Sequence, residues 1–306
     1  MSKIGIVPLL KPPGMTSHDC VNRLRRILNM KKIGHTGTLD PSVTGVLPMC
    51  IGHATRVAEY IQDLPKEYVG TVSIGRSTTT EDADGETTLD QPLSFPLEED
   101  QVRQVLNTFL GTIEQIPPMY SAVKVNGKRL HELAREGKEI ERKARKVVIY
   151  QIDVLSTTLA PPYPEITIHV KCSKGTYIRT LCVDIGKKLG YPAHMKNLQR
   201  VASGPFRLKD CFTFEQIEAA AEEGNIDSLL KPIDWALLQY PEIVVPAHQA
   251  LDILNGKKLR LSQTLPEDQL IRIYSSEKKF LALYKVVYVE NEAWGKPEKV
   301  FRLEGE

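Results

Sequence analysis

The stretch GHTGTLDPSVTG, residues 34–45, sets one acidic side chain, Asp40, among three glycines, three threonines and a histidine. Lys32 and Arg56 are close in sequence. A carboxylate held among positive charges stays ionised and can act as a nucleophile or a general base. Gly34, Gly37 and Gly45 imply close backbone approach or unusual dihedrals, more than a simple cap requires. The Asp40-Pro41 pair also has a purely structural reading, because aspartate accepts hydrogen bonds from backbone amides and proline fits a first helical position. From the stretch alone, a turn and a reagent are both open.

The rest of the chain narrows the chemistry by what it lacks. No G-x-x-x-x-G-K-[ST], no G-x-G-x-x-G after a strand-like run, no H-E-x-x-H and no G-x-S-x-G occurs. Nucleotide hydrolysis, dinucleotide redox chemistry, zinc proteolysis and the common esterase arrangement lose their main support. The seven histidines, among them His18, His35, His53 and His194, show no metal-ligand spacing. Cys20, Cys50, Cys172, Cys182 and Cys211 are scattered without a C-x-x-C pair, which predicts free buried thiols. The expectation is an activity carried by side chains alone, with no metal and no cofactor.

Composition is that of an ordinary globular protein, 42% hydrophobic and 25% charged, and 306 residues suffice for one large unit plus a small one. No run approaches the roughly 18 apolar residues of a membrane span. Residues 1–17, MSKIGIVPLLKPPGMTS, lack the apolar core and cleavage site of a signal peptide, so a cytoplasmic protein is expected. The net charge of +2 hides segregation: residues 1–60, 121–150 and 171–210 are net +5, +5 and +7, whereas 61–120 and 211–306 are net −8 and −5. If the basic segments converge in space they form a surface for a polyanion; scattered solubilising lysines would give the same count.

The elements that must position these groups are partly legible. Val21, Leu24, Ile27 and Leu28 predict a helix over 17–29, capped by Thr16 or Ser17, with Arg23, Arg25 and Arg26 on its other face. Helices are also predicted over 98–110, stopped by Gly111, over 176–189, opened by Thr176, and from a capping box at Thr213 and Gln216 to Gly224. Residues 67–74, 146–155, 165–171 and 280–289 read as strands, and 77–90 as an acidic surface loop turning at Asp84-Gly85. Asn126-Gly127 signals a hairpin inside a polar, basic segment, 124–146. This irregular mixture predicts an α+β fold with a largely antiparallel sheet, and a change of pattern near 241–246 divides the chain into units 1–243 and 244–306.

Five blocks in order, KPPGMTSHDCV, KIGHTGTLDPSVTGVLPMCIGHATR, KEYVGTVSIGRSTTTEDADGE, QIPPMYSAVKVNGKRLHELAREG and CSKGTYIRTLCVDIG, closely resemble the bacterial tRNA pseudouridine synthase B family. The resemblance covers roughly residues 3–210. It implies a pseudouridine-synthase fold, a mixed, mostly antiparallel sheet flanked by helices. It also implies isomerisation of uridine 55 in the tRNA T-loop, without cofactor or metal. Beyond residue 245 the likeness is to a small, mostly-β PUA-like RNA-binding domain, with Lys257, Lys258 and Arg260 as local contacts.

Matched to the family motifs, Asp40 is the catalytic aspartate, Arg179 the arginine that pairs with it, and Tyr68 the tyrosine that stacks on the target base. Tyr177 and Leu198 match residues lining the uracil pocket, Lys11 one that supports this substrate-binding site, and His35 the histidine that inserts into the T-loop. The segment 124–146 matches an insertion that closes on RNA, with Lys124, Lys128 and Arg129 as RNA-binding candidates. The implied partner is the tRNA T-stem-loop, with no membrane and no obligate protein partner, and the chain is expected to act as a monomer. Two alternatives remain at this level: a noncatalytic RNA-binding or chaperone protein, and a synthase acting on a different RNA, as guide-RNA-dependent relatives act on ribosomal RNA.

Overall fold

The structure is a computed structural model that describes residues 4–302 except 122, 126, 127, 138 and 139, and, within that span, leaves out the side chains of 124, 125, 128, 129, 131, 132 and 135. A nine-stranded sheet forms its backbone. Its main path runs Gly5–Lys11, Thr44–Ile51, Ala193–Ser203, Lys66–Ile74, Glu165–Cys172, Arg145–Thr158, Gly111–Gln115. Ile33–His35 pairs with Thr44–Ile51, and Phe206–Arg207 with Ala193–Ser203. The pairings are antiparallel except one: Gln199 and Arg200 lie parallel to Thr44 and Gly45. The α+β expectation holds, with a mixed sheet.

The strand Glu165–Cys172 shows how pattern becomes packing. Ile166, Ile168 and Val170 alternate inward and are buried, whereas Thr167 and His169 turn to the opposite, polar face. There Thr71 and Thr167 share a hydroxyl hydrogen bond of 3.0 Å across neighbouring strands. The apolar face is covered by helices Ser17–Leu28, Glu99–Asn107, Ile178–Leu189 and Phe214–Glu222, which join it in one core. Each fully buried Leu or Ile there contributes about 1.5–3 kcal/mol.

Thr16 closes a capping box with Asp19 at the first of these helices, and Thr213 does the same with Gln216 at the last. The helix expected to open at Thr176 starts instead at Ile178: the Thr176 hydroxyl is used in the preceding turn, donating to the Ser173 carbonyl at 2.9 Å, and the N-cap is Tyr177, whose N–H donates to Gln115 Oε1 at 3.0 Å. All five cysteines are free, four of them buried and Cys211 half-buried.

Two glycines allow the strands to meet. At Gly45, φ is +112° and a Cβ would lie 2.1 Å from the Arg200 carbonyl oxygen; at Gly70 a Cβ would lie 2.8 Å from Leu198 Cδ1. No L-side chain fits the first without backbone movement. The segment expected as an acidic surface loop is more ordered than that. Arg76–Thr78 pairs with Thr87–Asp90, and between them Asp82 turns inward to 6% exposure. Lys124–Val125 pairs with Lys128–Arg129, while Asn126-Gly127 lies outside the described residues.

A second sheet, in the order Glu242–Val245, Leu270–Ser275, Phe280–Val289, Glu292–Val300, Leu259–Arg260, carries the helix Ala247–Leu254 and its own core around Ile271, Ile273 and Tyr284. Its first strand straddles the division expected at 243/244. Leu283 and Phe301 pack with Ile6, Val46 and Phe206, so the two sheets share a buried apolar seam. Among the described residues no helix is long and apolar enough to cross a membrane.

Candidate active site

Asp40 sits in the loop between Ile33–His35 and Thr44–Ile51. The loop is tied down on both sides of it. Val43 N–H donates to the Asp40 carbonyl at 3.1 Å, closing a turn, and Leu39 N–H donates to the Ser17 hydroxyl at 2.8 Å. Lys11 is wholly buried, and its ammonium donates to the carbonyls of Pro12, Pro41 and Val43 at 2.9, 3.0 and 2.8 Å. With three donors and three acceptors the ammonium is satisfied. Lys11 therefore braces the loop from behind and does not line the cavity.

The Asp40 backbone makes the turn, and its side chain is used elsewhere. Its Oδ2 lies 3.0 Å from Arg179 Nε. Lys32 and Arg56, the cations suggested by sequence proximity, are not its partners. Lys32 Nζ lies 3.4 Å from His53 Nδ1, and the Arg56 guanidinium sits 5.4 Å over the Phe301 ring. The charges that reach Asp40 include those of Arg179, Asp82, Lys11 and Asp84.

Arg179 is 5% exposed and held from several directions. Nη1 donates to the Thr80 carbonyl at 3.0 Å, Nη2 donates to the Tyr120 carbonyl at 2.8 Å, and Asp82 Oδ2 lies 3.7 Å from Nη1. Asp82 is in turn oriented by the Thr80 hydroxyl and by Asp84 N–H at 3.1 Å. A planar guanidinium suits this multiply anchored role in a way an ammonium does not. Burial pushes the Asp40 carboxyl above the ordinary aspartate value; Arg179 and Lys11 pull it down and Asp82 pushes it further up. The result is a carboxylate more basic than a free one, held in place by a fixed cation.

Around this pair opens a cavity of about 630 Å³, lined among others by His35, Tyr68, Tyr177 and Leu198. Tyr68 and Arg200 are cross-strand partners on adjoining central strands, and the Arg200 guanidinium, whose Nε donates to the Val46 carbonyl at 2.7 Å, acts electrostatically on the phenol. Burial raises the Tyr68 phenol above its usual value against the pull of Arg200. His35 Nδ1 accepts the Gly37 N–H at 3.3 Å. Burial, then Arg200 and His18, hold its imidazole below the usual histidine value despite the Gly37 bond, so the ring is neutral at physiological pH.

Arg145, Lys146 and Lys174 also line the cavity, so the basic segments 121–150 and 171–210 converge there. Lys66 adds a cation whose ammonium caps the helix Ala58–Asp63 through the carbonyls of Ile61, Gln62 and Leu64, and burial pushes it down to about 8.

The structure thus brings Asp40, Tyr68, Arg179, His35, Tyr177 and Leu198 to one cavity. The side chains of Lys124, Lys128 and Arg129 lie outside the described residues. Lys257 pairs with Asp252 at 2.7 Å, and Arg260 pairs with Glu292, all on the surface of the second sheet. Residues missed from sequence are Asp82, the Thr80 and Tyr120 carbonyls, and Arg200. Only the block STTTEDADGE hinted at the first two, and nothing local showed that it folds back onto Arg179. Among the described residues no group of three or more His, Cys, Asp or Glu side chains could hold a metal ion.

Residues 25–178 match the TruB family pseudouridylate synthase N-terminal domain. Over an alignment of 308 positions, the chain is 50% identical to the tRNA pseudouridine synthase B of Halalkalibacterium halodurans, with 98% of each chain covered. The chain belongs to the TruB family of pseudouridylate synthases. Residues 179–238 match a tRNA pseudouridylate synthase B C-terminal domain, and residues 241–283 match the C-terminal region of pseudouridine synthase II TruB. The enzyme of the same name from Geobacillus thermodenitrificans is 48% identical over 97% of this chain and 99% of its own.

Solved structures extend the likeness. A chain of an H/ACA RNP bound to a substrate RNA containing 2′-deoxyuridine superposes with a TM-score of 0.76 at 26% identity, covering 99% of this chain and 86% of that one. A chain of a Cbf5-Nop10-Gar1 complex does so with a TM-score of 0.76 at 29% identity, covering 98% and 85%.

Proposed function

We propose that this TruB-family chain isomerises uridine 55 in the T-loop of tRNA to pseudouridine, with Asp40 as the catalytic residue. The observation that carries the reading is the Asp40 carboxylate, 3.0 Å from a buried, multiply anchored guanidinium, at a cavity walled by Tyr68, Tyr177 and Leu198. A nucleotide must leave its stack to enter such a cavity, and a loop nucleotide does so at least cost. The neutral His35 ring, on the cavity wall, takes the space the flipped base vacates. Tyr68 stacks on the uracil, with Leu198 and Tyr177 as further walls.

The reaction breaks N1–C1′, turns the uracil and joins C5 to C1′. In the route we favour, Asp40 takes the ribose C2′ proton as N1–C1′ breaks, leaving a glycal and a uracil anion. C5 then bonds to C1′ as C2′ regains its proton, and loss of the C5 proton with protonation of N1 completes the isomer. The raised basicity of Asp40 suits the first step. The raised phenol of Tyr68 is a poor base, so the C5 proton goes to Asp40 or water and Tyr68 is assigned to stacking.

Lys124, Lys128 and Arg129 of the insertion grip the RNA backbone, and the PUA-like C-terminal unit, from Glu242 onward, grips the acceptor-stem side. The chain works alone, as a monomer in the cytoplasm, without cofactor. The test incubates purified protein with a T-stem-loop transcript and nothing else, then maps pseudouridine. Product at position 55 is expected. Unmodified RNA would sink the reading, and turnover confined to another RNA would reassign the substrate.

A further inference from the structure

The helix Ile178–Leu189 carries Arg179 in its first turn, yet its own sequence supplies no cap. Tyr177 holds the N-cap position without a side-chain bond to the first turn, and no acidic residue stands there. An uncapped helix start leaves backbone donors unpaired unless another element satisfies them. Gln115, the last residue of the edge strand Gly111–Gln115, takes one of them, the Tyr177 N–H, from 62 residues away. Gln115 is 2% exposed. Oε1 accepts the Tyr177 N–H at 3.0 Å, and Nε2 donates to the Tyr177 carbonyl at 3.2 Å. That carbonyl also accepts the first helical bond, from Leu181 N–H at 3.0 Å.

The amide of Gln115 thus reads both polar groups of one residue, as a neighbouring strand would. Five residues on, the Tyr120 carbonyl accepts from Arg179 Nη2. The segment from Gln115 to Tyr120 holds the Tyr177–Arg179 turn at two points.

We infer that Gln115 is a positioning residue for the isomerisation: its amide clamps the Tyr177 backbone and so aims Tyr177 into the cavity and Arg179 at Asp40. The inference rests on the function proposed above. The site needs a neutral side chain with one acceptor and one donor at this length, which glutamine supplies. Asparagine is one methylene short, leucine leaves the Tyr177 N–H unpaired and its carbonyl with the Leu181 bond alone, and an ionised glutamate sets oxygen against the Tyr177 carbonyl.

The test measures single-turnover pseudouridine formation in a T-stem-loop RNA by the full chain and its Gln115→Leu, Gln115→Asn and Gln115→Glu variants. Binding of the same RNA and amide hydrogen exchange at Tyr177 are followed in parallel. For Gln115→Leu and Gln115→Asn the rate constant is expected to fall about tenfold to a hundredfold while RNA affinity stays within about threefold, the mark of misplaced groups. For Gln115→Glu, the ratio of its rate to the parent's is expected to rise as pH falls, because the protonated carboxyl regains the donor.

A merely structural role lowers stability without that pH-dependent ratio. A parental rate in Gln115→Leu, or a flat ratio in Gln115→Glu, overturns the inference. Should Gln115→Leu fail to fold, the Gln115→Glu ratio decides. An inactive parent would sink the isomerase reading alone. The clamp would then be judged by exchange at Tyr177: faster in Gln115→Asn if the amide holds that residue, unchanged if it does not.

Discussion

Asp40→Asn keeps the side chain's size and removes its charge, and the structure sets opposing effects on stability. Removing one partner of a buried ion pair costs about 3–5 kcal/mol when the other charge is left stranded. Arg179 is not stranded, because Asp82 and the carbonyls of Thr80 and Tyr120 remain. The Asp40 side chain is also 38% exposed, which reduces the lost pairing to that of a solvent-screened contact, about 1 kcal/mol at most. Against this, burial has raised the Asp40 carboxyl, so the folded protein carries its ionised form at a cost that an amide avoids.

The net change is within about 1 kcal/mol, a Tm difference of no more than about 2–4 °C. Turnover behaves differently, since an amide neither attacks nor takes a proton. The single-turnover rate is expected to fall by about 10⁴-fold or more, as when one member of a catalytic unit is removed. Tritium release from 5-tritiated uridine in a T-stem-loop RNA reads the rate, and calorimetry with RNA binding reads the rest. Turnover within about tenfold of the parent would refute the assignment of Asp40. A large loss of Tm would refute the argument that other groups keep Arg179 in place.

The acid limb of the rate–pH profile should inflect above the ordinary aspartate value, and Asp82→Asn should move it down, because Asp82 helps raise the Asp40 carboxyl. The linked stability has a definite sign. A carboxyl raised on folding binds its proton more tightly in the folded state, so the parent should lose stability relative to Asp40→Asn as pH rises from the unfolded value through the folded one. Urea titrations across that range measure it, and an opposite slope contradicts the burial argument. Gly45→Ala places a Cβ 2.1 Å from a backbone oxygen at a φ of +112°. It should destabilise by about 3 kcal/mol or more in urea unfolding. Neutralising Lys124, Lys128 and Arg129 together should weaken tRNA binding and flatten the salt dependence of log Kd by up to about three phosphate contacts, and an unchanged slope removes them from the interface.

Legibility from sequence followed the range of the interactions. The helices at Ser17–Leu28 and Phe214–Glu222 were readable because apolar spacing and a capping box lie within one turn of each other. The helix start at Ile178 was misplaced because its anchor is Gln115, on a distant strand. Asp82 read as a surface acid because nothing in STTTEDADGE shows that the segment folds against Arg179. Sequence proximity offered Lys32 and Arg56 as partners for Asp40, and the chain path sends both elsewhere.

By itself, the sequence determined the family through five ordered blocks, the α+β class through its mixture of periodicities, and Asp40 as both turn residue and reagent candidate. Tertiary structure alone decided how those two roles coexist: the Asp40 backbone makes the turn, Lys11 braces it from behind, and the carboxylate is left for Arg179. The physical reason is that local pattern encodes hydrogen bonds and apolar faces a few residues apart. The charge, burial and carbonyl contacts that tune this carboxylate come from segments joined only when the sheet closes.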